Sequence, residues 1–334
     1  MEFGVGLFCL QNTALVPSPH SVAYREFLET ARLADELGYD CVWLSEHHFF
    51  YDGYCPRLLV AAGAALGATE RVRAGTGMLL LPLHDPVRVA EESGRLMELS
   101  GGRLELGVGL GYREPEFEGL EVDRRTRVRR MEAGIDTMRA TWEGLGVPAP
   151  RLWMGANSEP GMRRGASRGM GMFSSGALHD AAVADWAAEH RKFWEEAGRP
   201  GGTAPPRGAL RNYWITDDPA EADAVRDWVR ASYVQYGVFG WVVPDDAHPG
   251  LDFPAHFEES LQSSVESATI GSTETVIARI KELEAAGVDH IALRIILEGS
   301  PQEAVHRMMR RFAAEVFPEF ERAADAPTLA GTAS

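Results

Sequence analysis

The chain has 334 residues and a formal charge of −16, with 49 acidic side chains against 33 basic ones. So acidic a balance argues against nucleic acid or an anionic membrane surface as partner, and no apolar run reaches the roughly 20 residues a spanning helix needs. Cys9, Cys41 and Cys55 are odd in number and wrongly spaced for a disulfide frame or a zinc site, and nothing at the N-terminus resembles a signal peptide, so a cytoplasmic protein is expected.

The first strand-like run covers 3–8. Phe27, Leu28, Ala31, Leu33, Ala34 and Leu37 then recur at helical spacing, and Gly38 closes the helix. A second strand, 40–45, ends in Glu46-His47-His48. Adjacent residues at a strand end point to opposite sides, so one imidazole of the pair is expected to face the mouth of the sheet. There it would suit a general base near neutral pH, its tautomer fixed by a nearby carboxylate. Two hydrogen-bonded structural histidines are the alternative.

The third strand, 72–81, carries Gly75 and Gly77 inside an apolar run, which suggests close backbone approach to something flat or bulky. Its loop, 82–87, lies on the same face as His47. His84 and Asp85 are the nearest further ligand types; three convergent ligands are lacking, and no metal is expected. A helix follows, through Val87, Ala90, Leu96, Met97 and Leu99.

The fourth strand, 104–110, contains Gly107, Gly109 and Gly111, a partial match to a dinucleotide fingerprint in the wrong place for one. These glycines are read as admitting a ligand or a neighbouring strand. Val128, Met131, Ile135, Met138 and Trp142 make the next helix. The fifth strand, 151–156, enters a helix through Asn157 and Ser158 and is followed by Arg163, Arg164 and Arg168. A free helix N-terminus with arginines suits a phosphate; ordinary N-capping by Asn157 or Ser158 would use the same residues.

Strands are also expected at 170–175, 208–215 and 289–297, with a helix capped by Ser272 before the last. Between the seventh and eighth, Tyr233, Tyr236, Phe239 and Trp241 precede the Pro/Gly/Asp-rich stretch 243–254, read as a lid or a solvated insertion spanning about 232–270. Trp153, Phe173, Tyr213, Trp214 and Trp241 are candidates for an apolar pocket or for core. Residues 321–334 are expected to be disordered. Eight β/α alternations over 1–320 predict a single (β/α)₈ TIM-barrel domain with an insertion between strands seven and eight; a doubly wound sheet lacks its Gly-rich first turn.

The stretches 43–49, 72–91, 101–111, 155–158, 271–276 and 286–290 resemble, in order and spacing, the luciferase-like flavin-dependent monooxygenases. The resemblance implies a barrel whose mouth holds reduced FMN, or in a sister branch the deazaflavin F420. It implies an acid/base role for His47, with Glu46 as its catalytic neighbour. Thr76, Gly77, Met78, Gly109, Asn157, Ser158 and Arg168 fall on the cofactor-binding stretches, Gly77–Met78 at a non-prolyl cis peptide. Asn157 stands where luciferase has an acidic residue, and Gly109 where it has a reactive cysteine, which argues against light emission as such. The activity implied is oxygenation of a small, largely apolar molecule through a C4a-hydroperoxyflavin, with O₂ and a separate flavin reductase as partners and a homodimer as the assembly. F420-dependent hydride transfer and a non-catalytic flavin-binding protein are the alternatives on the same barrel.

Overall fold

The computed structural model describes residues 1–12, 19–50, 52–174, 176, 178–240 and 253–321. Eight parallel strands close a barrel in the ring order β1-β10-β7-β6-β5-β4-β3-β2. In chain order the elements are β1 (Glu2–Phe8), α1 (His20–Leu37), β2 (Cys41–Leu44), α2 (Leu58–Ala68), β3 (Arg73–Leu79), α3 (Pro86–Ser100), β4 (Leu104–Val108), α4 (Glu114–Gly119), α5 (Arg127–Leu145), β5 (Arg151–Gly155), α6 (Glu159–Ser167), β6 (Gly171–Ser174), α7 (Asp180–Glu196), β7 (Arg207–Arg211), β8 (Tyr213–Ile215), α8 (Pro219–Gly240), α9 (Phe253–Glu266), β9 (Thr269–Gly271), α10 (Thr273–Ala285), β10 (His290–Arg294) and α11 (Gln302–Glu315). All eight expected barrel strands form.

One strand differs from expectation. The run 208–215 breaks at Asn212: β7 stays in the barrel, while β8 leaves it to pair with β9 in a separate two-stranded sheet. The expected insertion thus contributes α8, α9 and β9. The segment 241–252 and the tail from 322 lie outside the described residues. No described helix is long and apolar enough to cross a membrane.

Local chemistry sets the helix limits. Gly38 closes α1 in the left-handed conformation (φ 78°), and Gly101 does the same for α3 (φ 66°). Asp85 caps α3 by accepting from the backbone N–H groups of Val87 and Arg88. Between strands and helices runs a continuous apolar layer, and a second, smaller cluster of Cys41, Trp43, Trp153, Phe173, Leu210 and Ala292 fills the barrel interior. Trp43 packs edge-on to Trp153, ring centroids 5.6 Å apart. Trp153, Tyr213 and Trp214 are therefore core, and Phe173 alone of the described candidates also reaches the cavity. Beneath the aromatic plug, Glu2 and Glu105 bind Arg73 and Arg151 with N···O distances between 2.6 and 3.2 Å.

Candidate active site

A cavity of about 990 Å³ opens at the C-terminal ends of the strands, where barrels of this kind place their ligands. The chain leaves β2 at Leu44, and the next residues divide as the strand geometry requires. His47 turns into the cavity, whereas His48 turns away from it.

His47 is buried and held at both ring nitrogens. Its Nδ1 lies 2.9 Å from Glu116 Oε1, and its Nε2 lies 3.1 Å from the Tyr236 hydroxyl and 3.4 Å from that of Tyr112. A carboxylate only accepts, so Nδ1 carries the proton and Nε2 is left as the acceptor facing the cavity. Glu116 Oε1 also accepts from the backbone N–H of His48 at 2.8 Å, while its Oε2 is buried without a hydrogen-bond partner. The rings of Phe50 and Tyr54 flank the imidazole at centroid distances of 5.1 and 4.8 Å.

The orienting carboxylate is thus Glu116, and the expectation for Glu46 is corrected. Glu46 Oε1 accepts from His48 Nε2 at 2.6 Å and His84 Nε2 at 2.7 Å, and Oε2 accepts from the Leu80 N–H at 2.9 Å. Burial alone would raise its pKa, but the two histidine hydrogen bonds outweigh this and hold it at about 2. Among the described residues Glu46, His48 and His84 bring three ligand atoms within 4.8 Å of one another, which corrects the expectation that three convergent ligand types are lacking. Their contacts are those of a satisfied hydrogen-bonded cluster outside the cavity; Asp85, occupied in capping α3, is not part of it.

The cofactor-binding expectations divide. Gly77, Met78 and Asn157 line the cavity, together with Gly155 and Ala156, and the Gly77–Met78 peptide is cis. Ser158 sits at the N-cap of α6, exposed, with no capping hydrogen bond from its side chain. Thr76 is fully buried and its hydroxyl donates to the Gly107 carbonyl at 2.7 Å, so its side chain does not reach the cavity. Gly109 faces the neighbouring strand: a Cβ there would meet Met78 Cβ at 3.1 Å. Gly75 likewise makes room for protein, since its Cβ would fall 2.4 Å from the Trp43 ring. Arg168 ends α6, which runs back down the barrel, so it lies a full helix away from Ser158, 3.9 Å from Asp136. Arg163 pairs with Glu159 and Glu196, and Arg164 with Glu132. The arginine cluster is a set of surface ion pairs.

Tyr236 belongs to α8, which packs over the mouth. Gln235 donates to Asp52 at 3.1 Å, and Ser232 Oγ accepts from the Glu298 N–H at 2.7 Å. Tyr54 donates to Ser45 at 2.8 Å and accepts from the Cys9 thiol at 3.1 Å. Burial pushes the Tyr54 hydroxyl well above its usual range. Glu116, Tyr112 and Tyr54 escaped the sequence reading. For Glu116 a signal existed: Pro115 between two acidic residues just after a strand is the signature of a helix start at the barrel mouth.

Comparison with known proteins agrees with this fold. The family described as luciferase-like monooxygenase matches residues 1–290. The oxygenase component of a flavin-dependent trigonelline monooxygenase from Acinetobacter baylyi is 23% identical, over 89% of this chain and 90% of that protein. Among solved structures, a monooxygenase from Streptomyces bottropensis superposes with a TM-score of 0.78 at 23% identity, covering 96% of this chain and 99% of that one. An F420-dependent secondary alcohol dehydrogenase does so with a TM-score of 0.72 at 19% identity, over 95% and 98%. The shared fold therefore hosts both kinds of cofactor.

Proposed function

The chain belongs to the luciferase-like monooxygenase family, and on that premise we propose that it is a flavin-dependent oxygenase: it takes reduced FMN from a separate reductase and uses O₂ to oxygenate a small, largely apolar organic molecule. The observation that carries this reading is the His47–Glu116 pair, buried at the wall of a 990 Å³ cavity. That volume lies at the top of the roughly 300–1,000 Å³ range of small-molecule sites, which suits a flavin and a second occupant together.

The residues present fit the cofactor. Gly77, Met78, Gly155 and Ala156 give one wall of backbone and apolar surface for a flat ring. A Cβ at Gly161 would meet Ala156 Cβ at 2.6 Å, so glycine there lets the start of α6 sit close against this wall. The uncommitted Ser158 hydroxyl and the first N–H groups of α6 suit a phosphate. When bound, reduced flavin would supply the electrons that activate O₂.

The chain's own groups would then position and move protons. His47 Nε2, left as the acceptor by Glu116 at Nδ1, exchanges a proton with the cavity occupant or with the Tyr236 hydroxyl. Phe50, Tyr54 and the residues of α8 that bear Ser232, Gln235 and Tyr236 keep water from this side of the cavity. The trigonelline relative, named as an oxygenase component, supports the separate reductase. A homodimer is part of the proposal, in keeping with Val60 on α2 and Leu99 on α3, which are 73% and 84% exposed. Anaerobic titration with reduced FMN tests the reading: saturable binding is expected, and its absence at high micromolar flavin would end it.

A further inference from the structure

Five arginines lie within the barrel strands, and four are paired with carboxylates. Arg73 meets Glu2 at 2.8 Å, Arg151 meets Glu105 at 2.6 Å, Arg207 meets Asp289 at 3.4 Å and Arg211 meets Asp180 at 3.1 Å. The fifth is Arg294, the last residue of β10. Among the described residues it makes no ion pair and no hydrogen bond, although Glu26 and Glu298 line the same cavity. Its partner is the ring of Tyr233 on α8, whose centroid lies 5.3 Å from the guanidinium carbon.

In a chain of net charge −16 such a cation is conspicuous. It is also the one permanently charged cation among the described residues of the lining. A guanidinium facing a largely apolar cavity gives up part of its hydration, a cost that an anion in the cavity would offset. Contact with the Tyr233 ring occupies one part of the group and leaves in-plane N–H donors for a carboxylate, whose two oxygens match the guanidinium fork.

Position separates this anion from the cofactor phosphate. Asn157 and Ser158 follow β5, three places around the ring from β10, whereas β2, which leads into His47, is two places away on the other side. Arg294 also stands close enough to the Cys9 thiol after β1 to act on it electrostatically.

We propose that Arg294 anchors a carboxylate or similarly compact anionic group of the substrate, so that the molecule oxygenated is an amphipathic organic acid with its apolar part directed toward His47. The word substrate here rests on the oxygenase reading; the anion site does not.

The test is equilibrium binding by calorimetry, with 4-phenylbutyrate and its neutral amide as probes and with reduced FMN and inorganic phosphate titrated separately. The wild-type protein is expected to bind the acid about tenfold or more tightly than the amide. Arg294→Met should abolish that preference and leave FMN affinity within about twofold, while Arg294→Lys, keeping the charge but not the fork, should retain part of it. Equal binding of acid and amide by the wild type would overturn the proposal without recourse to any variant. So would an Arg294→Met protein that loses FMN or phosphate binding and keeps the acid preference, since Arg294 would then serve the cofactor. Acid preference in a protein that binds no flavin would uphold the anion site and sink the oxygenase reading.

Discussion

Glu116 Oε1 receives His47 Nδ1 at 2.9 Å and the His48 N–H at 2.8 Å, so one buried oxygen fixes both the imidazole and the loop that carries it. Replacing Glu116 by Gln keeps the shape but sets an amide, which can donate as well as accept, where an accept-only carboxylate fixed the tautomer of His47. With reduced FMN supplied, Glu116→Gln is expected to slow turnover by about 10–100-fold, because the imidazole is no longer held in one tautomer with Nε2 as the acceptor facing the cavity. Unchanged rates would remove Glu116 from the mechanism. At this scale the sequence was half legible. His47 announced itself by standing where a buried strand ends. Its partner lies 69 residues away on a six-residue helix too short to show a period, and Glu46, adjacent in sequence, is committed to His48 and His84.

Among the elements, β3 shows how one sequence pattern can serve two neighbours. Its two glycines are read in the sequence as close backbone approach to something flat or bulky, without saying what. Gly77 does line the cavity, but Gly75 accommodates the Trp43 indole, with only 2.4 Å available to a Cβ. Trp43 is fully buried among Trp153, Phe173 and His290 and has little room to shift. Gly75→Ala is therefore expected to cost about 1–3 kcal/mol by overpacking, read as a lower thermal midpoint; a midpoint equal to wild type would mean that the indole can move. Strand alternation gives the direction of a side chain but not what lies opposite, which depends on register. Similarly, the break at Asn212 sits within a run of strand-forming residues, and nothing local marks where β7 ends in the barrel and β8 begins its pairing with β9. Arg168 was misplaced for a simpler reason. A helix of nine residues carries the chain about 13 Å away from its N-terminus.

For the molecule as a whole, eight alternations of pattern sufficed to give the barrel, because each apolar stripe faces the same shared layer. Two of the groups that set its acid stability act in different pH windows. His190 on α7 is fully buried, with neither ring nitrogen hydrogen-bonded. Burial, reinforced by the Arg207 charge, lowers its pKa from the ordinary 6.5 to about 4. The unfolded chain thus binds a proton that the folded chain refuses, so stability falls as pH drops from 6.5 through 4, by about 3 kcal/mol in full. Glu46 acts in a lower window. Its folded value of about 2 lies below the ordinary 4.5, so its contribution is complete above 4.5 and is lost as pH falls toward 2. Urea unfolding across pH should show the upper loss disappear in His190→Phe while the lower one persists; identical curves for variant and wild type would contradict the assignment.

The flavin reading itself is tested most directly by loading the purified protein anaerobically with reduced FMN, or in parallel with reduced F420, and then admitting air while absorbance is followed. Reduced FMN is expected to bind and to reoxidise in a slow phase absent from free flavin, and Glu116→Gln should alter that phase. Failure to bind reduced FMN, together with tight binding of reduced F420 that survives the air pulse, would contradict the account and place the protein among hydride-transfer enzymes.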